Sequence, residues 1–456
     1  MHATMLASVY VPPLGQRVLA MAQRLRVDGD DPGPGGRPEE RGVLDLQALD
    51  PRVWLLRSTL GAGPKVSSTE AQRARRASLL ENTTPLARPH DGRLCQNGEV
   101  VQFSSRWRAS PGRRLHPGAV RCGGWKVTMD SSLPGVHPVA QLLLERAAKG
   151  SHPGARDDNY QVALAIEGGG MRGAITAGMV AAIEQLGLVD SFDAVYGSSA
   201  GAINGAYLLA GQATYATTVY YQDIDNMAFV NPFRPLIGRP IVSLEYLIDE
   251  VMVNRKPIDW RTILDSKIPL RVVATSLRRG EAVTLQGFRT REGLFEALRA
   301  SARIPLLAGG PVSVNGDPCM DATICQTIPY EAALRDGFTH VLVLRANAKG
   351  VGLGEPRLFG YLAAHRLGRS HSRLRAAMLS RHGDYAKAVD FMDSANVEWG
   401  RPPHVMSVYP SEEAARVHPL DTNHERLLGG TAAGLRSCVL SLTGEHVGSV
   451  QLLRAF

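Results

Sequence analysis

The sequence predicts an α/β fold: three layers, with a largely parallel central sheet and helices on both faces, preceded by an N-terminal region expected to be poorly ordered. Three observations predict it. From Gln161 onward, short apolar runs alternate with stretches of helical periodicity, the pattern of parallel strands joined by helices. One of them, Val162–Ile166, is apolar without interruption, as a strand covered on both faces requires. Two of them pass through glycine-rich turns directly into helices.

The elements follow in order. Pro138–Lys149 (PVAQLLLERAAK) has an apolar face built on Leu142, Leu143 and Leu144 and reads as a helix. A Gly/Pro/Asp turn covers Gly150–Asn159. Val162–Ile166 (VALAI) is a buried strand, Ala174–Leu186 a helix, Phe192–Tyr196 (FDAVY) a second strand, and Ala200–Gly211 a second helix rich in Gly and Ala. Leu270–Ser276 and His340–Leu344 are further strands. Val312–Val314, Asn315-Gly316 and a return to Met320 read as a hairpin on an Asn-Gly turn. Leu367–Met392 reads as a long helical stretch, and Val405–Tyr409 as a last strand.

Residues 1–135 lack this regularity. Asp31–Arg41 (DPGPGGRPEER) has linker composition, and only segments such as Val53–Leu60 look structured. Leu14–Val27, with Arg17, Arg24 and Arg26, fits a basic amphipathic helix; a transit peptide and an unstructured start both accommodate it. The organisation expected is an irregular Arg/Pro/Gly-rich region over 1–135, then one domain over 136–456 whose motifs lie between 161 and 346.

Composition narrows the function. Of 456 residues, 44% are hydrophobic, enough for a sizeable core. No run approaches the roughly 20 apolar residues of a membrane-spanning helix. The five cysteines form no CxxC pair, which argues against zinc and disulfide frameworks and for a reducing compartment such as the cytoplasm. The net charge of +8 is concentrated: Pro51–Gly150 holds 16 Lys+Arg against 6 Asp+Glu. Such a segment suits an anionic lipid surface or a solvated tail, and it lacks the aromatic–basic spacing of a nucleic-acid module.

Three motifs carry chemistry. Gly168-Gly169-Gly170-Met171-Arg172-Gly173 ends a strand and opens a helix. Exposed backbone N–H groups and the helix dipole there make an anion site, for a phosphate or for the oxyanion of acyl transfer. Gly197-Ser198-Ser199-Ala200-Gly201 is a G-x-S-x-G turn, also between strand and helix, the context that exposes a nucleophilic serine. Asp321 stands at the exit of the hairpin strand, where a lone Asp is ordinarily a turn or cap residue.

In order, context and approximate spacing these motifs resemble the patatin-like phospholipase family. Gly168–Gly173 matches its GGGxRG oxyanion loop, Gly197–Gly201 its serine turn, and Asp321 its aspartate. Ala300–Pro305 (ASARIP) and Ala274–Leu285 (ATSLRRGEAVTL) are similar to further family segments. One position departs: Ala322 stands where the family usually has glycine after the aspartate, so the turn there is expected to differ. The resemblance implies a lipid acyl hydrolase with Ser199 as nucleophile and Asp321 as base. It implies an oxyanion hole around Gly169, Gly170 and Met171, no metal or cofactor, a lipid ester as substrate and at most peripheral membrane contact. Arg172 reads either as a headgroup ligand or as a structural residue. Tyr215–Arg239 and Tyr361–Met392 are candidates for covering an acyl site.

Three rivals stand beside this reading. Gly168-x-Gly170-x-x-Gly173 also fits a dinucleotide loop, but that fold expects an acid at the end of the second strand, where Tyr196-Gly197-Ser198-Ser199 stands. A Ser-His-Asp triad could draw on His340, His365, His371, His382 or His404, although Glu167 occupies the place of the histidine in an HGGG loop. A non-catalytic lipid-surface protein could keep the same fold.

Overall fold

The computed structural model describes residues 136–353, 358–411 and 417–444, together with the backbone of four short strands before them. The chain divides into two compact units, 1–111 and 112–456. In the first, β1 (Arg93–Gln96) pairs antiparallel with β2 (Glu99–Gln102). In the second, β3 (Ala119–Cys122) pairs antiparallel with β4 (Trp125–Thr128). The helix read over 14–27, the linker over 31–41, the segment 53–60 and most of the irregular N-terminal region lie outside the described residues.

The rest of the second unit is a mixed, mostly parallel sheet with helices on both faces. Helix α1 (Pro138–Lys149) starts with proline at its first position, where no N–H is needed, and the His137 ring accepts from the Val139 N–H. It ends at Gly150 with φ of 64°. Its one buried cation, Arg146, reaches Asp158 and Asp193 at 2.7 Å each and ties the helix to the entry of the second core strand. From there the chain runs through β5 (Val162–Ile166), α2 (Gly173–Gln185), β6 (Ala194–Ser198), α3 (Ala200–Leu209), β7 (Leu270–Ser276) and β8 (Glu281–Leu285). It continues with α4 (Arg291–Ser301), the hairpin β9 (Val312–Val314) and β10 (Asp317–Met320), α5 (Tyr330–Arg335), β11 (His340–Leu344), α6 (Leu358–Gly368), α7 (Ser372–Ala395), β12 (His404–Val408) and α8 (His424–Thr443).

Strands β12, β11, β5, β6 and β7 lie side by side in parallel. Beyond them pairing turns antiparallel: Thr275 and Ser276 of β7 have partners in both β8 and β10, and β9 pairs β10. One face of β5 (Val162, Leu164, Ile166) packs under α1, α2, α3 and α8; the other face (Ala163, Ala165) packs with Val341, Val343 and Tyr385 toward α5 and α7. Burial on both faces explains the unbroken apolar runs.

Two expectations need correction. The second core strand begins at Ala194 rather than Phe192 and extends to Ser198. Asp193 is taken up just before it by Arg146, Arg156 and the Val162 N–H. The stretch 367–392 is not one helix. It breaks after Gly368, and His371 caps a new helix by accepting from the Arg373 N–H. Among the described residues no helix is long and apolar enough to cross a membrane, and no cluster of His, Cys, Asp and Glu could hold a metal ion.

Candidate active site

Strand β6 ends at Ser198 and helix α3 starts at Ala200, so Ser199 alone makes the turn between them. It does so at φ 53°, ψ −124°, a region that L-residues avoid. The turn is feasible because its neighbours are small: a Cβ at Gly201 would stand 2.3 Å from the Ile166 carbonyl oxygen. The strained backbone is held from outside. The Ser199 N–H donates to Ser301 Oγ at 2.8 Å, and Ser301 Oγ donates in turn to the Val273 carbonyl at 2.5 Å. Ser301 ends α4 and belongs to the Ala300–Pro305 segment, but no local pattern marked it as the residue that fixes the turn.

Releasing this strain should be measurable. Ser199→Gly is expected to be about 1–2 kcal/mol more stable than Ser199→Ala in denaturant unfolding, because glycine occupies that φ/ψ region freely.

Asp321 follows β10 directly. Its backbone N–H donates to the Arg303 carbonyl and its carbonyl accepts from Thr275 Oγ1, which pins it over the end of β7. The carboxylate is divided between two donors: Oδ1 accepts from the Thr323 N–H at 2.8 Å and Oδ2 from Ser199 Oγ at 2.9 Å. Both partners of the second bond are buried, Ser199 to 3% and Asp321 to 0% exposure. Burial pushes the Asp321 carboxyl above the ordinary carboxylate range, against the opposing pull of the Thr323 and Ser199 bonds and of the Arg381 guanidinium. The turn after Asp321 does not use positive φ. Ala322 opens a short 3₁₀ turn that Asp321 caps, and its methyl is fully buried in the core. Alanine is thereby accommodated where the resembled motif has glycine.

The glycine loop lies against the serine: a Cβ at Gly168 would come within 2.8 Å of Ser199 Cβ. Gly170 has φ of 59° and sits under the Pro419 carbonyl oxygen, which a Cβ there would approach to 2.4 Å. That carbonyl accepts the Met171 N–H at 2.9 Å. Met171, read from the sequence as an oxyanion donor, therefore has its amide engaged elsewhere. The Gly169 and Gly170 N–H groups have no acceptor among the described residues; neither does that of Ala200, the first residue of α3. Gly173 opens α2, and a Cβ there would meet Tyr220 and Ala200. At Gly197, in β6, a Cβ would meet the backbone of Ala202.

Arg172 donates to Asn347 Oδ1. Asn347 belongs to a buried group centred on Glu167, whose carboxylate also accepts from the Ala346 N–H at 2.6 Å and from Tyr385 OH at 2.9 Å. Burial raises the Glu167 pKa, opposed by the charges of Arg172 and Arg345. This group clamps the glycine loop to β11 and α7. Sequence reasoning singled out Glu167 and Arg172 but not their partners, which are 175 to 218 positions away and carry no motif.

A narrow cavity of about 40 Å³ runs from this cluster into the core. Its polar end is Ser199, with Gly170, Met171 and Ala200; its walls are almost wholly apolar, including Ile203, Tyr207, Tyr220, Phe229, Val242 and Leu247. Segment 216–229, within the Tyr215–Arg239 stretch, supplies one wall. Tyr361–Met392 supplies none of the lining; its helices pack on Met320 and Ile324 beside Asp321. Ser199 Oγ donates to Asp321 directly, with no imidazole between them. His371 caps a helix, and His340 packs on Tyr160 and His404.

Residues 164–334 match the family model for patatin-like phospholipase. YjjU of Escherichia coli K12, an uncharacterized protein, is 29% identical over 188 residues, 41% of this chain and 52% of its own. The chain thus spans about half the length of that curated relative. The crystal structure of VipD from Legionella pneumophila aligns at a TM-score of 0.34 and 12% identity, covering 63% of this chain and 67% of that one.

Proposed function

We propose that this chain, which carries a patatin-like phospholipase domain over residues 164–334, is a serine hydrolase of lipid carboxylic esters working through an acyl-Ser199 intermediate. The observation that carries this reading is the 2.9 Å bond from Ser199 Oγ to the buried Asp321 carboxylate, at the polar end of an apolar cavity. A serine hydroxyl is a weak nucleophile until a base takes its proton as it attacks. The bond to Asp321 supports that carboxylate as the base, and its burial adds support: an ordinary Asp, with a pKa of about 3.9, is a feeble base, whereas this one is held higher.

The steps follow from the positions. Ser199 Oγ attacks the ester carbonyl while its proton passes to Asp321. The carbonyl oxygen becomes an oxyanion, for which the Gly169, Gly170 and Ala200 N–H groups are the available donors. Loss of one such donor typically costs about 2.7–4 kcal/mol. Asp321 then returns the proton to the departing alcohol. Water, deprotonated by the same carboxylate, attacks the acyl-enzyme, and the proton goes back to Ser199. The apolar walls beside Ser199 suit the first carbons of a hydrocarbon acyl chain better than a polar acyl group.

The test is release of free fatty acid by the full chain from a phospholipid and from a soluble short-chain ester. Turnover of either supports the reading, and the ratio of the two reports how far it depends on a lipid interface. A folded protein that hydrolyses neither would refute it.

A further inference from the structure

The loop that carries one wall of the cavity continues outward into an exposed tip that the catalytic reading leaves unexplained. Val230 and Val242 form an antiparallel bridge, and Phe229 and Val242 line the cavity. Between them the chain makes an excursion, Pro232–Pro240 (PFRPLIGRP), with a 3₁₀ turn at Arg234–Ile237. Its apolar residues face solvent: Phe233 is 64% exposed, Leu236 84% and Ile237 69%. A Cβ at Gly238 would meet nothing within 4 Å, so the tip stands clear of the body.

Such side chains would ordinarily fold inward, and here the backbone prevents it. Three prolines stiffen the excursion. The Arg234 guanidinium donates to the carbonyls of Met227, Ala228, Phe229 and Ile241, locking the turn from behind. The base is tied to a second rim segment by the Val242 N–H bond to the Leu307 carbonyl, 2.9 Å. In that segment Leu306 is partly exposed at φ 64°, and Ile304 lines the cavity. The charge has one sign: between Ala228 and Ser243 there are Arg234 and Arg239 and no Asp or Glu. The Arg239 side chain is exposed and has no acid partner among the described residues.

From this we infer that the 233–239 tip is a docking wedge for an anionic lipid surface, seating the cavity mouth at the interface; the inference rests on the lipid-ester reading above. A lipid surface fits better than a second copy of the chain. Three side chains on one protruding turn fall well short of the about 800 Å² per partner that a stable protein interface buries. A protruding apolar tip beside exposed arginine instead suits shallow insertion among headgroups.

The test is co-sedimentation of the full chain with vesicles of phosphatidylcholine alone, or of equal parts phosphatidylcholine and phosphatidylglycerol, with hydrolysis of a soluble short-chain ester measured in parallel. The wild type should bind the anionic vesicles more tightly, and less so as salt rises. The double substitution Leu236→Ser and Ile237→Ser should weaken that binding about tenfold or more, and Arg239→Glu about fivefold or more on anionic vesicles only. None of the three residues lines the cavity, so soluble-ester turnover should stay near the wild-type value.

Wild-type binding that the substitutions leave unchanged would overturn the wedge, as would a folded, active enzyme that binds no vesicles. A self-association in solution that the double variant abolishes would assign the tip to a second copy instead. Vesicle binding lost in the variants, in a protein that hydrolyses no ester, would keep the wedge and reject the hydrolase.

Discussion

Replacing Ser199 by alanine is expected to lower ester turnover by a factor on the order of 10⁴–10⁶, the scale seen when a serine nucleophile is removed. The protein should remain folded. The bond to Ser301 Oγ uses only the backbone N–H of Ser199, and alanine keeps the Cβ that the turn already accommodates. What disappears is the Oγ that would carry the acyl group, and with it one of the two hydrogen bonds to the buried Asp321 carboxylate. Substrate affinity should change little, because the apolar walls of the cavity are untouched; the loss belongs in kcat. Steady-state kinetics on a soluble ester, with circular dichroism of both proteins, makes the comparison. A folded Ser199→Ala variant with near-normal turnover would rule out the acyl-Ser199 route.

Asp321→Asn should combine a large loss of activity with a gain in stability. An amide cannot take the serine proton, and general-base catalysis is worth about 10²–10⁴-fold. Its carbonyl can still accept from the Thr323 N–H and its NH₂ can donate to Ser199 Oγ, so the turn should persist. For stability the sign follows from burial. The folded state holds Asp321 with a raised pKa and so binds its proton more tightly than the unfolded chain does. The stabilisation associated with that proton is complete below the ordinary carboxylate pKa and is lost as pH rises through the raised, folded value. Above the ordinary carboxylate pKa the buried Asp321 carboxyl therefore costs stability, and asparagine removes the cost. The variant should melt above the wild type at neutral pH, and the gap should close as pH falls. In the wild type, kcat/KM should drop on the acid side, with an apparent pKa above about 3.9. Melting curves and rate profiles across pH read both effects; a variant less stable than wild type at neutral pH would mean that burial of the charge is compensated after all.

The sheet was readable because its strands are buried on both faces. Val162–Ile166 leaves no polar position to blur the pattern, Val272–Ala274 and Val341–Leu344 give shorter apolar runs within their strands, and the Asn-Gly turn marks its hairpin unaided. The long helical stretch was misread because Gly368 and His371 interrupt it only through capping, which leaves the apolar periodicity on either side intact. In the site, local sequence points to the glycine loop and the serine turn, since tight turns demand small residues in a fixed order. The supports could not be read that way. Ser301, Pro419, Asn347 and Tyr385 act on the loop and the serine from distant elements, and each is an ordinary residue where it stands. The 233–239 tip sat within a stretch flagged only as a possible cover, because exposure is a property of the fold and not of the string PFRPLIGRP.

Activation of Ser199 as a nucleophile by Asp321 is read out by incubating the folded full chain with a fluorophosphonate, digesting it, and locating the adduct by mass spectrometry. An activated Ser199 gives a single adduct at that residue, absent from Ser199→Ala and formed far more slowly in Asp321→Asn. A folded wild type that takes up no label, or label on another residue that survives Ser199→Ala, would contradict it.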